Sequence, residues 1–389
     1  MRMGKQITSL LLALGWVLVA AGGCAGPGPE RASTDQGASL RLEKVAELGC
    51  SDCEGAELLT VATLTVSPDG RVFLIDRYEP LVRVLDLQGE LLLTFGKYGQ
   101  GPGEMGLEAP GVGFIPPIGI YPGENGGWLV LEGMPSRVQQ FDTDGNYIGR
   151  VRLPQAVPIQ YDYSVAARRL YVISFLPGQP RAIKRFDDWD QDATEGTRIG
   201  GEAAEFYSAL RDRGVVGVRG AFAAAPDGSF VIADPIDYRI QRFDADGNLV
   251  AEFGRDIERP RKSEEELRQE RQRLEEVAAR RGRQAQEPDP LKPHFTINPL
   301  DYDDAGRLWV RTPRGGPDET IFDVFDATNE FIGEVVVPVT FKLDPFTLRN
   351  FDVGGGHLAA VLLDQAGTDQ VKIWRVIAEP GRCNMPVWE

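Results

Sequence analysis

Two histidines, His294 and His357, and a Cys50-Ser-Asp-Cys53 pair are the residues of this chain best suited to acid–base, metal or redox chemistry. A catalytic zinc site of the usual kind needs three nitrogen, thiolate or carboxylate ligands and an open position, and two isolated histidines fall short of it. Both therefore read as structural. Cys50 and Cys53 have redox-motif spacing, but they come after a short strand and not a βαβ unit, and Glu54 stands where a haem-attachment motif needs His. Cys50, Cys53 and Cys383 are expected to form one disulfide and leave one free thiol, the bridge being either Cys50–Cys53 or one of these with Cys383. Asp76, Glu132 and Asp234 recur at one place in a repeated pattern, at a strand end, and together could hold calcium. Five to seven residues after each comes Arg83, Arg137 or Arg239, so the competing reading pairs each acid with its own hairpin's arginine. The expectation is no metal and no cofactor, with calcium on those three acids as the alternative.

The stretch Gly96-Lys-Tyr-Gly-Gln-Gly-Pro-Gly-Glu104 has the glycine content of a phosphate cradle. A cradle needs a helix N-terminus after it, because amides and helix dipole together make the anion site. Residues 105–119 are instead rich in glycine and carry Pro110, Pro116 and Pro117, a composition unsuited to a helix. The segment reads as a connection between structural units, with Lys97, Tyr98 and Glu104 at its surface.

The elements that position these residues repeat. Segments starting at Ser67, Asn125, Ala225 and Asp303 each read as a glycine turn, an alternating strand, a polar turn, a second strand, another turn and a third strand; weaker copies start at Ala167 and Gly355. Asp86, Asp142, Asp187, Asp244 and Asp326 recur roughly every 45–57 residues, apart from one longer gap before Asp326, which is the period of a four-stranded propeller blade. Asp-Gly pairs at 69–70, 144–145, 227–228 and 246–247 supply the positive-φ residue of a tight hairpin. Strands such as Gly70–Asp76 are apolar on both faces, as sheets stacked between two neighbours must be. Arg77, Tyr78, Asp237, Tyr238, Arg311 and Arg314 fall in one class of turn, and arginine and aromatic side chains on loops are what a binding face uses.

The unit DPIDYRIQRFDADGNLVAEFG resembles an NHL repeat, and GQGPGEM is similar to a turn of bacterial six-bladed, TolB-like propeller lipoproteins. The resemblance implies an all-β, six-bladed β-propeller over 39–389, with residues around Ser39–Leu48 supplying the outer strand of the last blade. It implies a binding module for a protein, peptide or glycan, taken on the loop face or in the channel. The alternative it leaves open is a metal-dependent, calcium-type propeller hydrolase, lactonase or lyase with a central-channel site.

Residues 259–293 interrupt the pattern between the fourth and fifth units. Ser263 and Glu266 can form a capping box, Glu/Arg pairs lie one turn apart, and Gly282 can end the segment, so a helix is expected there, as a lid, a docking element or a rim decoration. At the N-terminus, Arg2 and Lys5 precede an apolar run from Ile7 to Ala21, too short for an ordinary span. Ala21-Gly22-Gly23-Cys24 resembles a bacterial lipoprotein signal, which implies a signal over 1–23, lipidation of Cys24, a flexible tether over 24–38, and an outer-membrane or periplasmic location. The 389-residue chain has a net charge of −16, which excludes a general affinity for nucleic acid. A monomer is expected.

Overall fold

The computed structural model describes residues 40–49 and 60–378, apart from 80, 110–112, 124–125, 134–135, 154–156, 165–166, 176–181, 188–195, 213–221, 281, 283, 296–298, 343–348 and 364–366. Cys24, Cys50, Cys53 and Cys383 lie outside the described residues, as do the expected signal and tether.

Six four-stranded antiparallel sheets succeed one another as the blades of a propeller. From the axis outward, blade 1 is Val61–Val66, Val72–Asp76, Val82–Leu85 and Leu91–Phe95; blade 2 is Gly119–Pro122, Trp128–Gly133, Ser136–Phe141 and Tyr147–Arg152. Blade 3 is Val157–Ser164, Arg169–Phe175, Ala182–Asp187 and Thr197–Ile199; blade 4 is Phe222–Ala224, Phe230–Asp234, Arg239–Phe243 and Leu249–Gly254. Blade 5 is Leu300–Tyr302, Leu308–Thr312, Thr320–Phe325 and Phe331–Val337. Blade 6 takes Phe351–Gly354, His357–Leu363 and Asp369–Ala378 from the end of the chain and Leu40–Leu48 from its beginning. That last pairing, Leu40 opposite Ala378 through Leu48 opposite Val371, closes the ring as expected and covers a sheet edge that would otherwise be open.

Second strands such as Val72–Asp76, Phe230–Asp234 and Leu308–Thr312 are buried along their whole length, while the outer strands Leu91–Phe95 and Leu249–Gly254 are largely exposed. The reason is the stacking. Phe73, Ile75 and Val84 of blade 1 pack on Ile120, Trp128 and Val130 of blade 2. Trp309 and Phe322 of blade 5 pack on Phe351, Leu358 and Trp374 of blade 6. Leu64 and Leu74 of blade 1 meet Ala359, Val361 and Ile373 of blade 6, so the apolar core also runs across the closure.

Four of the five recurrent aspartates cap the turn before the outer strand, whereas Asp187 is bound by Arg169 and Arg185. Asp244 Oδ1 accepts the N–H groups of Asp246 and Asn248, both at 2.9 Å, and Asp86, Asp142 and Asp326 do the same for their own turns. Gly247 there has φ +92°, and in blade 5 Asn329 takes the equivalent place at φ +72°.

Two helices are described where one was expected. Helix α1, Gly201–Asp212, buries Ala203, Phe206, Tyr207 and Leu210 in the interface of blades 3 and 4, a spacing that marks one helical face. Helix α2, Glu264–Arg280, carries the expected capping box: Glu266 N–H donates to Ser263 Oγ at 3.2 Å and Ser263 N–H to Glu266 Oε2 at 2.8 Å. Its excursion is pinned at the base, where Lys262 N–H donates to Pro290 O and Lys292 N–H to Pro260 O.

Candidate functional site

Side chains of the inner strands tie four neighbouring pairs of blades together. Thr65 Oγ1 donates to Ile120 O at 2.9 Å, joining blades 1 and 2. Asp162 Oδ2 accepts Ala224 N–H at 2.7 Å, Asp301 Oδ2 accepts Val353 N–H at 2.8 Å, and Asp352 Oδ2 accepts Val66 N–H at 2.7 Å, joining blades 3 to 4, 5 to 6 and 6 to 1. Each carboxylate thereby satisfies a backbone donor of the next blade, and the second oxygens of Asp162 and Asp301 also accept Tyr163 N–H at 2.9 Å and Tyr302 N–H at 3.1 Å. Arg349, just before the inner strand of blade 6, meets all three second oxygens: Asp301 Oδ1 at 2.5 Å, Asp352 Oδ1 at 2.7 Å and Asp162 Oδ1 at 3.8 Å. Its guanidinium also lies 5.8 Å from the Tyr121 ring centroid, and Tyr121 meets Tyr163 edge-on.

Burial raises the carboxyls of Asp162, Asp301 and Asp352 above their ordinary range, against the opposing pull of Arg349; Asp301 is raised well above it. Burial disfavours the Arg349 charge too, but the three carboxylates outweigh it and hold that group firmly cationic. Asp304, on the same wall, is raised by burial although Gly355 N–H donates to it at 2.5 Å.

These residues line a cavity of ≈ 220 Å³ to which all six blades contribute the ends of their inner strands. Val66, Pro68, Tyr121, Pro122, Pro226 and Val353 give it apolar walls, and Asp162, Asp301, Asp304, Asp352 and Arg349 its charge. An apolar pocket with a few convergent polar groups at the axis of the fold is the arrangement of a ligand site.

The residues expected to make a binding face do not come together there. Arg77, Tyr78, Asp237, Tyr238 and Arg314 sit in the turns after the second strands, at the opposite end of the blades from the cavity, while Arg311 lies within the second strand of blade 5. Tyr78 is 64% exposed, with Arg77 beside its ring. Tyr238 and Arg311, by contrast, are each 2% exposed and offer no surface to a partner. The Tyr238 hydroxyl donates to the fully buried Asp323, which also receives Arg255 and Arg314, and both arginines share Glu334. Arg311 donates to Asn350 at 3.0 Å and lies 5.4 Å from the Phe351 ring centroid, and burial pushes its pKa down to about 9. The sequence pattern marks these side chains as turn residues but carries no sign of the blade-to-blade contacts that absorb them.

Asp76, Glu132 and Asp234 form no ring. Asp76 and Asp234 accept turn amides, Tyr78 N–H at 2.7 Å and Ile236 N–H at 2.9 Å, and have Arg83 and Arg239 within 4 Å. Glu132 is bound by Arg137, by Gln139 Nε2 at 2.9 Å and by Gly106 N–H at 2.8 Å. Among the described residues no three His, Cys, Asp or Glu side chains are placed to hold a metal. Arg137 and Gln139 also donate to Gln100 O and Glu104 O, so this buried set anchors the Gly96–Gly106 connection. Glu104 folds back to accept Gly101 N–H at 2.8 Å, placing a carboxylate where a phosphate cradle would need open amides. His294 packs edge-on against Tyr238 and His357 Nδ1 lies 2.7 Å from Gly355 O; neither lines the cavity.

No family model and no curated protein matches the chain. Solved structures do resemble it. A Bacteroides fragilis protein carrying an exported-protein designation is similar at TM-score 0.50 and 11% identity, over 87% of this chain and 95% of that one. A DUF4221 family member from Bacteroides vulgatus gives TM-score 0.49 and 12% identity over 88% and 99%. A virginiamycin B lyase from Staphylococcus aureus gives TM-score 0.43 and 14% identity over 87% and 100%. At these identities the likeness is one of fold. Among the described residues no helix is long and apolar enough to cross a membrane.

Proposed function

We propose that this protein is an exported, lipid-anchored propeller of the bacterial cell envelope, of NHL-repeat type, that holds a ligand in the cavity at the end of its channel. The observation that carries this is the convergence of all six inner strands on one pocket whose apolar walls surround a fixed set of carboxylates and one arginine. Export and anchoring are supported by the apolar N-terminal run ending in Gly22-Gly23-Cys24, and by the exported designation of the Bacteroides fragilis neighbour. The calcium-dependent hydrolase or lyase alternative finds less support, because the cation among the channel acids is the chain's own Arg349.

Ligand-detected NMR with a library of short peptides, amines and oligosaccharides tests the site. The reading expects binders that are lost when Pro122→Trp fills the cavity mouth, with the variant's unfolding temperature as the folding control. Binders that ignore this change would refute it. Incorporation of labelled palmitate by the wild type and not by Cys24→Ser tests the anchor.

A further inference from the structure

Acids outnumber the single guanidinium in the cavity, and this names a ligand chemistry; the inference rests on reading the cavity as a binding site. Four carboxylates line it, Asp162, Asp301, Asp304 and Asp352, and its one guanidinium, Arg349, faces Asp162, Asp301 and Asp352. The fifth lining acid, Asp303, is already matched by Arg307 Nε at 2.6 Å and Trp309 Nε1 at 2.9 Å. Arg349 is committed to Asp301 and Asp352 at hydrogen-bond distance, and stands 3.8 Å from Asp162. Asp304 receives a backbone amide from Gly355. Behind the cavity the channel carries another unmet polar group: Thr63, fully buried on the same strand face as Thr65 and bridged to Arg349 through the backbone, has a hydroxyl with no hydrogen-bond partner among the described residues.

We propose that the cavity takes a primary ammonium group on a short apolar stem, such as a lysine side chain or an alkyl diamine, with the ammonium against Asp162 and Asp304. An opposite charge a few ångströms from a carboxylate is favoured over a neutral group, whereas an anion there would meet four acids and only one guanidinium. Tyr121, Pro122 and Pro226 supply the apolar wall for the stem. A cation relieves the cost of burying Asp162, which is raised by burial with Arg349 and the Ala224 and Tyr163 amides opposing, and Asp304, an exposed side chain on the same wall, adds a second carboxylate. The volume of ≈ 220 Å³ suits one side chain rather than a folded partner.

Calorimetric titration of the purified protein with Nα-acetyl-lysine methylamide and 1,5-diaminopentane tests this, with the Nε-acetylated lysine derivative and the corresponding glutamate derivative as controls. The ammonium probes are expected to bind, the acetylated control to bind at least about tenfold more weakly, and Asp304→Asn and Asp162→Asn each to weaken the ammonium by roughly tenfold. Asparagine at 162 can still accept the Ala224 amide, and thermal unfolding of both variants checks folding. Equal affinity for charged and acetylated probes, or a change under threefold in both variants, overturns the inference. If neutral or acidic library members bind in a manner blocked by Pro122→Trp while ammonium probes do not, the inference falls and the cavity reading stands. If Pro122→Trp blocks no probe of any charge, both fall.

Discussion

The Arg349 guanidinium donates to Asp301 Oδ1 at 2.5 Å, joining the connection into blade 6 to the inner strand of blade 5. With Asp352, Asp162, the Tyr121 ring and the backbone bridge to Thr63, one side chain's neighbourhood gathers inner strands of five blades. Removing it leaves three buried acids without their countercharge. Arg349→Met is therefore expected to lose about 3–5 kcal/mol in urea unfolding at pH 7. The raised carboxyls take up protons more readily in the folded state, so stability from them is fully present below the ordinary carboxylate pKa and is lost as pH rises through the raised values. The deficit of Arg349→Met should accordingly shrink at pH 5. An equal deficit at both pH values would count against this electrostatic role.

The turn-capping aspartates behave in the opposite sense. Asp244 is lowered first by its hydrogen bond from the Asn248 side chain, and Asp142 likewise by Asn146; Asp326 is lowered by Thr328 and the turn amides despite some burial. A depressed folded-state pKa contributes stability above the unfolded value and loses it as pH falls through the folded one. Asp244→Ala should destabilise at pH 7 and make little difference near pH 2.5, as read by thermal unfolding across that range. A constant effect would show that the hydrogen bonds, and not the charge, matter.

At the other end of the blades, Tyr238→Phe removes one buried hydroxyl from Asp323 while Arg255 and Arg314 remain. A loss of about 1–2 kcal/mol in stability is expected. Affinity for any cavity ligand should change by less than about twofold, a combination that a surface recognition residue would reverse.

The Gly96–Gly106 connection depends on a buried polar set. Glu132→Gln weakens the hold on Arg137 and on the Gly106 amide, so amide exchange at Gly103 and Gly106 should speed by roughly tenfold or more while blade-core amides stay protected. Unchanged exchange would mean that Glu104 and Lys97 hold the loop unaided.

The architecture is legible in the sequence because its signals are local. A capping aspartate and a positive-φ glycine or asparagine recur in four of the blades, and the second strands are apolar on both faces, so period and strand type can be counted. The cavity is not legible in the same way. A repeat counted from the Asp-Gly turns onward leaves the inner strand outside the compared segment, although YDYS, LDYDD and FDVGG each place an aspartate shortly before that turn. Even with those aligned, Arg349 belongs to no repeat, and its encounter with Asp162 across 187 positions of chain is a product of ring closure alone. Helix α1 escapes the pattern for a different reason: its apolar face is only four residues long and sits where a weak repeat copy was expected to continue.

Three backbone amides report directly on the central claim, because Val66, Ala224 and Val353 donate to the cavity acids Asp352, Asp162 and Asp301. Residue-selective nitrogen-15 labelling of valine, alanine and tyrosine, monitored during titration with a ligand found by the library screen, compares the two ends of the propeller in one spectrum. Shifts are expected at Val66, Ala224 and Val353 with Tyr78 unmoved; shifts confined to Tyr78 and its turn, with those three amides unchanged, would refute binding in the cavity.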